Sequence, residues 1–237
     1  MSFDALHVHH AVASFDKQIY LAAMFGKQRW SFDAARGVLI FEGAHAERTE
    51  LAVQVLGTES DEDASWRWAW AQADSALASR LLTDAQMLRA LGEREAIPEL
   101  RDAETPLRSG FDGATLAAVA SGVCRAGCFF RAPYPGGALF LLVRDGHFRR
   151  FVTRPLPRIR RIFPMFLSDH RVPDARAHYL PYLAFYRLAV TETANTVEAR
   201  HGEADPLVAT FDAAGQLKAL RGGDGAPGGL DVLRPNG

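Results

Sequence analysis

The sequence predicts an α+β fold, a mainly antiparallel sheet covered by amphipathic helices. Three observations predict it. Short apolar runs follow one another through residues 29–71, joined by brief polar loops, which is the pattern of an antiparallel meander. Residues 76–95 then change period, with Leu77, Leu81, Ala85, Leu88 and Leu91 on one helical stripe. Gly37 and the pair Asp145-Gly146 stand where tight hairpin turns are favoured.

The elements follow in order. Residues 14–25 carry Phe15, Ile19, Ala22 and Ala23 at helical spacing, and Gly26 is a natural stop. Trp30-Ser31-Phe32-Asp33 and Val38-Leu39-Ile40-Phe41 form a hairpin around Gly37. Residues 51–57 and 65–71 give two more strands, and residues 76–95 give one helix or two sharing Thr83 as N-cap. Asp112 caps a further helix, over 112–126, whose apolar face is Leu116, Val119, Ala120 and Val123. Residues 128–131 and 139–144 read as strands divided by the turn-rich segment 132–137. Asp145-Gly146 begins another hairpin, with 148–153 as its return strand. Residues 158–167 and 175–188 read as helices, in which Pro164 and Pro181 mark a first turn or a kink. Residues 196–200 fit a helix end or a strand. Residues 207–211 and 216–220 form a last hairpin around Asp212-Ala213-Ala214-Gly215. Phe-Asp-Ala-Ala occurs at 32–35 and again at 211–214, which shared hairpin chemistry explains as well as a duplication would. Residues 1–220 read as one globular domain, or two tightly fused halves, and residues 221–237 as a Gly/Pro-rich flexible tail.

Composition narrows the function classes. The chain has 237 residues, 27 Lys+Arg against 28 Asp+Glu, and 48 % hydrophobic residues. That balance is an ordinary globular one, and it excludes a globally basic nucleic-acid binder and an acidic disordered chain. No apolar run is long enough to span a membrane. The N-terminus lacks the parts of a signal peptide, so a cytoplasmic location is expected. Cys124 and Cys128 read as buried reduced thiols, because i,i+4 helical positions suit a disulfide poorly. There is no GxGxxG, GxxxxGK[ST] or GxSxG, so no cofactor is expected and the chain reads as a non-enzyme.

Four segments could carry chemistry. In Trp66-Arg67-Trp68-Ala69-Trp70-Ala71, strand alternation puts Trp66, Trp68 and Trp70 on one face. They are either a core face or an aromatic floor for a flat or apolar ligand. The loop at 57–63 concentrates carboxylates; it reads as a solvated hairpin tip, with Glu59 the acid placed to serve a pocket. His7, His9 and His10 could gather nitrogen ligands, but nothing completes a catalytic metal set, and no metal site is assigned. Residues 144–161 are the one strongly basic stretch. Arg149, Arg150, Arg154, Arg158, Arg160 and Arg161 are interleaved with Phe148, Phe151, Ile159, Ile162, Phe163 and Phe166. Such a mix meets an acidic protein or an anionic ligand, or else pairs with the chain's own acids at 59–63 and 93–104. No nucleic-acid motif accompanies it, so nucleic acid is not the expected partner.

Several segments stand in a recognisable order: Lys17-Gln18, Trp30-Ser31-Phe32-Asp33, residues 53–60 (VQVLGTES), the Trp66–Ala71 run, and Leu88-Arg89-x-x-Gly92-Glu93 with Ile97-Pro98-Glu99-Leu100. Together, over roughly residues 14–145, they resemble a bacterial family of domains of unknown function. Its members usually carry a small polar residue where this chain has Gln72. The resemblance implies a stand-alone bacterial cytosolic protein and brings no activity, cofactor or catalytic residue. The expected function is that of a binding protein using its arginine-rich surface. The alternative is a pocket protein or hydrolase with Trp66, Trp68 and Trp70 as floor and Glu59 as polar group.

Overall fold

The computed structural model describes residues 1–44, 47–72, 77–145 and 154–223. The fold is α+β with antiparallel sheets, as the sequence predicts. The chain falls into two compact units: Met1–His7 with Lys17–Arg149, and Val8–Asp16 with Arg150–Gly237. Helix α1 (Phe3–Phe25) contributes to both. Ser2 caps it through its hydroxyl, so the helix begins eleven residues before the apolar spacing at 14–25 suggests.

The first unit is built on a seven-stranded antiparallel sheet. Strands β1 (Arg29–Asp33), β2 (Val38–Glu42), β3 (Arg48–Ser60), β4 (Ser65–Trp68) and β5 (Glu104–Pro106) follow one another in that order. On β3 also lies β7 (Gly137–Val143), which pairs in turn with β6 (Cys128–Tyr134). Helix α2 (Thr83–Glu95), the short α3 (Pro98–Arg101) and α4 (Gly113–Val123) supply the helices.

Trp66 and Trp68 are wholly buried, in a cluster with Leu88, Leu116 and Phe140. Each buried indole removes roughly 150–250 Å² from water, worth roughly 4–6 kcal/mol of transfer free energy. Gly57, opposite Trp68 on β3, makes the packing possible. A Cβ there would stand 2.7 Å from the Trp66 ring, closer than carbon atoms approach.

The second unit holds a four-stranded antiparallel sheet in the order β11 (Leu217–Gly222), β10 (Leu207–Phe211), β9 (Thr196–Arg200), β8 (Ala189–Glu192). Val197, Ala199, Leu207, Ala209 and Phe211 form its buried face. Helices α5 (Pro155–Asp169) and α6 (Ala175–Phe185) accompany the sheet. The Tyr179 ring on α6 lies 4.6 Å from Phe163 on α5 and 5.7 Å from Phe211 on β10, centroid to centroid.

Several local expectations are corrected. The strand expected over 65–71 stops at Trp68, and Ala69–Ala71 form a 3₁₀ turn. Residues 79–81 also form a 3₁₀ turn, and α2 starts only at Thr83, which is its first residue rather than its cap. Strand β6 runs through Pro133 to Tyr134, so only Pro135 and Gly136 remain for the turn. Residues 196–200 are strand. The return strand expected at 148–153 and most of the Gly/Pro-rich tail lie outside the described residues. The two Phe-Asp-Ala-Ala segments are both hairpin turns. Asp33 accepts from the Arg36 amide and Asp212 from the Ala214 and Gln216 amides. Gly37 and Gly215 supply the positive φ, +72° and +74°.

Candidate functional site

Helix α5 begins where Pro155 pre-sets a helical φ at its first position. It buries Leu156, Ile159, Ile162, Phe163 and Phe166 and leaves Arg154, Arg160 and Arg161 exposed. At about 100° per residue, Arg161 stands on the exposed face, with Arg160 to one side and Arg158 to the other. Arg154 is the N-cap, with φ −124° and ψ 85°, and lies just outside the helix. Arg160 Nη1 donates to the Gly222 carbonyl at 3.3 Å, which brings the end of β11, with exposed Arg221, to the same side. No acid stands in the first turn of α5 and its N-cap is Arg154. A cation in the first turn at this positive helix end is disfavoured by about 0.3–1 kcal/mol. Arg154 and Arg161 make no ion pair with any described residue. Among the described residues, no acid pairs with the charge that Arg154 places at this helix end.

Arg158 differs from its neighbours, because it turns inward. Its Nε donates to Asp16 Oδ1 at 2.6 Å and its Nη2 to the Asp16 carbonyl at 3.2 Å. The other carboxylate oxygen accepts from Tyr182 Oη at 2.7 Å and from Tyr186 Oη. Asp16 is wholly buried and the Arg158 side chain is 11 % exposed. Burial opposes the charge on Arg158, but Asp16 outweighs it and holds the guanidinium above its usual range. Burial above all pushes both tyrosine hydroxyls well above the usual phenol range; Tyr186 and then Asp16 add to it at Tyr182, and Asp16 adds to it at Tyr186. They therefore stay protonated and donate. Every oxygen of the carboxylate is satisfied, so the cluster clamps α1, α5 and α6 through one buried anion.

The remaining predicted residues are placed as follows. Arg149 and Arg150 lie outside the described residues. Five of the acids expected to neutralise the basic stretch have local partners instead. Glu59 pairs with Arg131, Glu93 with Arg89, Glu95 with Arg94, Asp102 with Arg101, and Glu104 with Arg67. Glu59 Oε2 also accepts from the Gly113 amide at 2.9 Å, so its carboxylate sits at the N-terminus of α4. The Trp66 ring packs against Phe140 and against Trp68, with centroids 5.2 and 5.3 Å apart. The Trp68 Nε1 donates to the Glu99 carbonyl at 3.1 Å. Trp70 leaves the strand and lies half-buried under the Arg89 guanidinium, 4.6 Å from its ring. His7, His9 and His10 all lie on α1, and the described residues contain no group of three potential metal ligands.

Sequence reasoning missed Asp16, Tyr182, Tyr186 and Arg221. The clamp joins residues 142 to 170 positions apart, so no local spacing signals it. A cue did exist: Asp16 stands within an apolar helical pattern, and a charge there needs a partner. Among the described residues, no helix is long and apolar enough to cross a membrane.

A family of unknown function, DUF6882, matches residues 4–146 of the chain. The match ends before α5. No curated protein and no solved structure matches.

Proposed function

We propose that this chain, which belongs to the DUF6882 family, is a non-enzymatic binding protein that docks an acidic partner on the exposed arginines of α5. One observation carries the reading: Arg154, the N-cap of α5, and Arg161, in the middle of that helix, stand exposed with no ion pair to any described residue. Exposed cations of this kind contribute little to folding stability. They do steer and orient an anionic partner, and guanidinium groups match carboxylates in two-pronged geometry. The internal alternative is weakened, because Glu59, Glu93, Glu95, Asp102 and Glu104 are paired elsewhere. Following the family resemblance, the setting proposed is the bacterial cytoplasm.

The test is a fluorescence-anisotropy titration of the full chain with labelled poly-L-glutamate. Binding should weaken as salt rises from about 0.1 M to about 1 M, where the screening length shrinks from about 10 Å to about 3 Å. It should also weaken in Arg154→Glu/Arg161→Glu. Binding untouched by both salt and charge reversal would refute the proposal.

A further inference from the structure

Among the described strands, five lie at sheet edges: β1, β5 and β6 in the first unit, β8 and β11 in the second. An edge strand presents unpaired N–H and C=O groups, and folds blunt it with proline, lysine or an inward-facing charge. Here β5 carries Pro106, β6 carries Pro133 and β11 carries exposed Lys218. Strand β8 sets Glu192 opposite buried Val197, where Arg176 pairs with it. Strand β1, Arg29-Trp30-Ser31-Phe32-Asp33, has none of these devices. Its inward residues are aromatic, Trp30 opposite buried Phe41 and Phe32 opposite buried Leu39. Trp30 is nonetheless 38 % exposed.

We propose that β1 pairs antiparallel with β1 of a second copy of this chain, about a two-fold axis at Ser31. This register opposes all five residues of the strand. Arg29 meets Asp33 of the second copy at both ends, Trp30 meets its Phe32, and Ser31 meets its Ser31. Directly opposed residues share a face, so one apolar row runs from Phe41 through Trp30 to Phe32 and Leu39 of the second copy. Charge chooses the orientation, because parallel pairing in register would set arginine beside arginine and aspartate beside aspartate. Both charges are available: neither Arg29 nor Asp33 makes an ion pair with any described residue. Asp33 Oδ1 accepts from the Arg36 amide at 3.0 Å, which fixes the carboxylate at the strand end. The Trp30 ring already rests edge-on against Phe130, with centroids 5.2 Å apart, so its exposed part is pre-positioned. The contact is self-complementary and closes at two copies. Five paired residues a side fall well short of the roughly 20–30 of a standard interface, so the dimer is weak and concentration-dependent.

Sedimentation velocity of the full chain, from about 1 µM to about 1 mM, should show a monomer–dimer equilibrium. Arg29→Glu, which faces Asp33 of the second copy with a like charge, should weaken it about tenfold. Disulfide trapping reads the register. The two Ser31 Cα atoms stand about 4.5–5.5 Å apart in this pairing, within disulfide reach, so Ser31→Cys should give a covalent dimer on mild oxidation. In Arg29→Cys the new thiols lie about 13 Å apart along the strands and should not be trapped. Cys124 and Cys128 are buried and do not compete. A chain monomeric at every concentration, or equal trapping of the two cysteine variants, would overturn the proposal. So would self-association that ignores Arg29→Glu, or that leaves Ser31→Cys untrapped, since the contact would then lie on another surface.

Discussion

Replacing Asp16 with alanine should loosen the second unit selectively. The carboxylate holds Arg158 at 2.6 Å and accepts from two tyrosine hydroxyls, all within a buried cluster. Removing the anion alone leaves the Arg158 cation, only 11 % exposed, without its counter-charge. Breaking one partner of a buried pair costs about 3–5 kcal/mol. All four tryptophans lie in the first unit, so indole fluorescence does not report this loss. Hydrogen exchange does. Amides of α5 and α6 should exchange faster by about two to three and a half decades, at about 1.4 kcal/mol per decade. Asp16→Ala/Arg158→Met removes both charges and should recover at least half of the loss, because an apolar pair can replace a buried ion pair. Acceleration under about tenfold in the single variant, or a double variant as damaged as the single, would refute the clamp.

Trp66→Ala should destabilise the first unit by about 3–5 kcal/mol in urea, followed by the remaining tryptophans, and a loss under about 1 kcal/mol would contradict the packed cluster. Burial pushes the thiols of Cys124 and Cys128 well above the usual range. An aromatic disulfide reagent should therefore modify neither until the chain unfolds, and rapid labelling of the native protein would contradict this. The hydrogen bond from Arg36, then that from Arg48, holds the Glu50 carboxyl at about 2. The folded value lies below the ordinary one of about 4.3, so this group's contribution is present above that pH and is lost as pH falls toward 2. A carbon-detected NMR titration should find that midpoint and see it rise in Arg36→Gln; a midpoint near the ordinary value in the unaltered chain would count against the pairing.

What was legible in the sequence was local. The hairpin around Gly37 and the cap at Asp112 are visible because their determinants lie within four residues of one another. Strand β8 was not legible: all four of its residues are exposed, and an edge strand with no buried face leaves no alternation. Strand β5 has three residues, too few for a period. The break at Trp68 was hidden because a 3₁₀ turn of Ala69–Ala71 and a strand accept the same small residues. Among the arginines, charge density marked the segment, but only the fold separates Arg158, held by Asp16, from Arg154 and Arg161, which face outward. The partners of Arg158 come from positions 16, 182 and 186, and tertiary structure alone brings them together.

Docking on α5 is most directly tested by an exchange footprint of the full chain with and without poly-L-glutamate. The account predicts added protection in peptides covering Pro155–Asp169 and the end of β11, and none over β4 with its buried indoles. Protection centred on β4, or none anywhere under conditions where binding is measured, would contradict it.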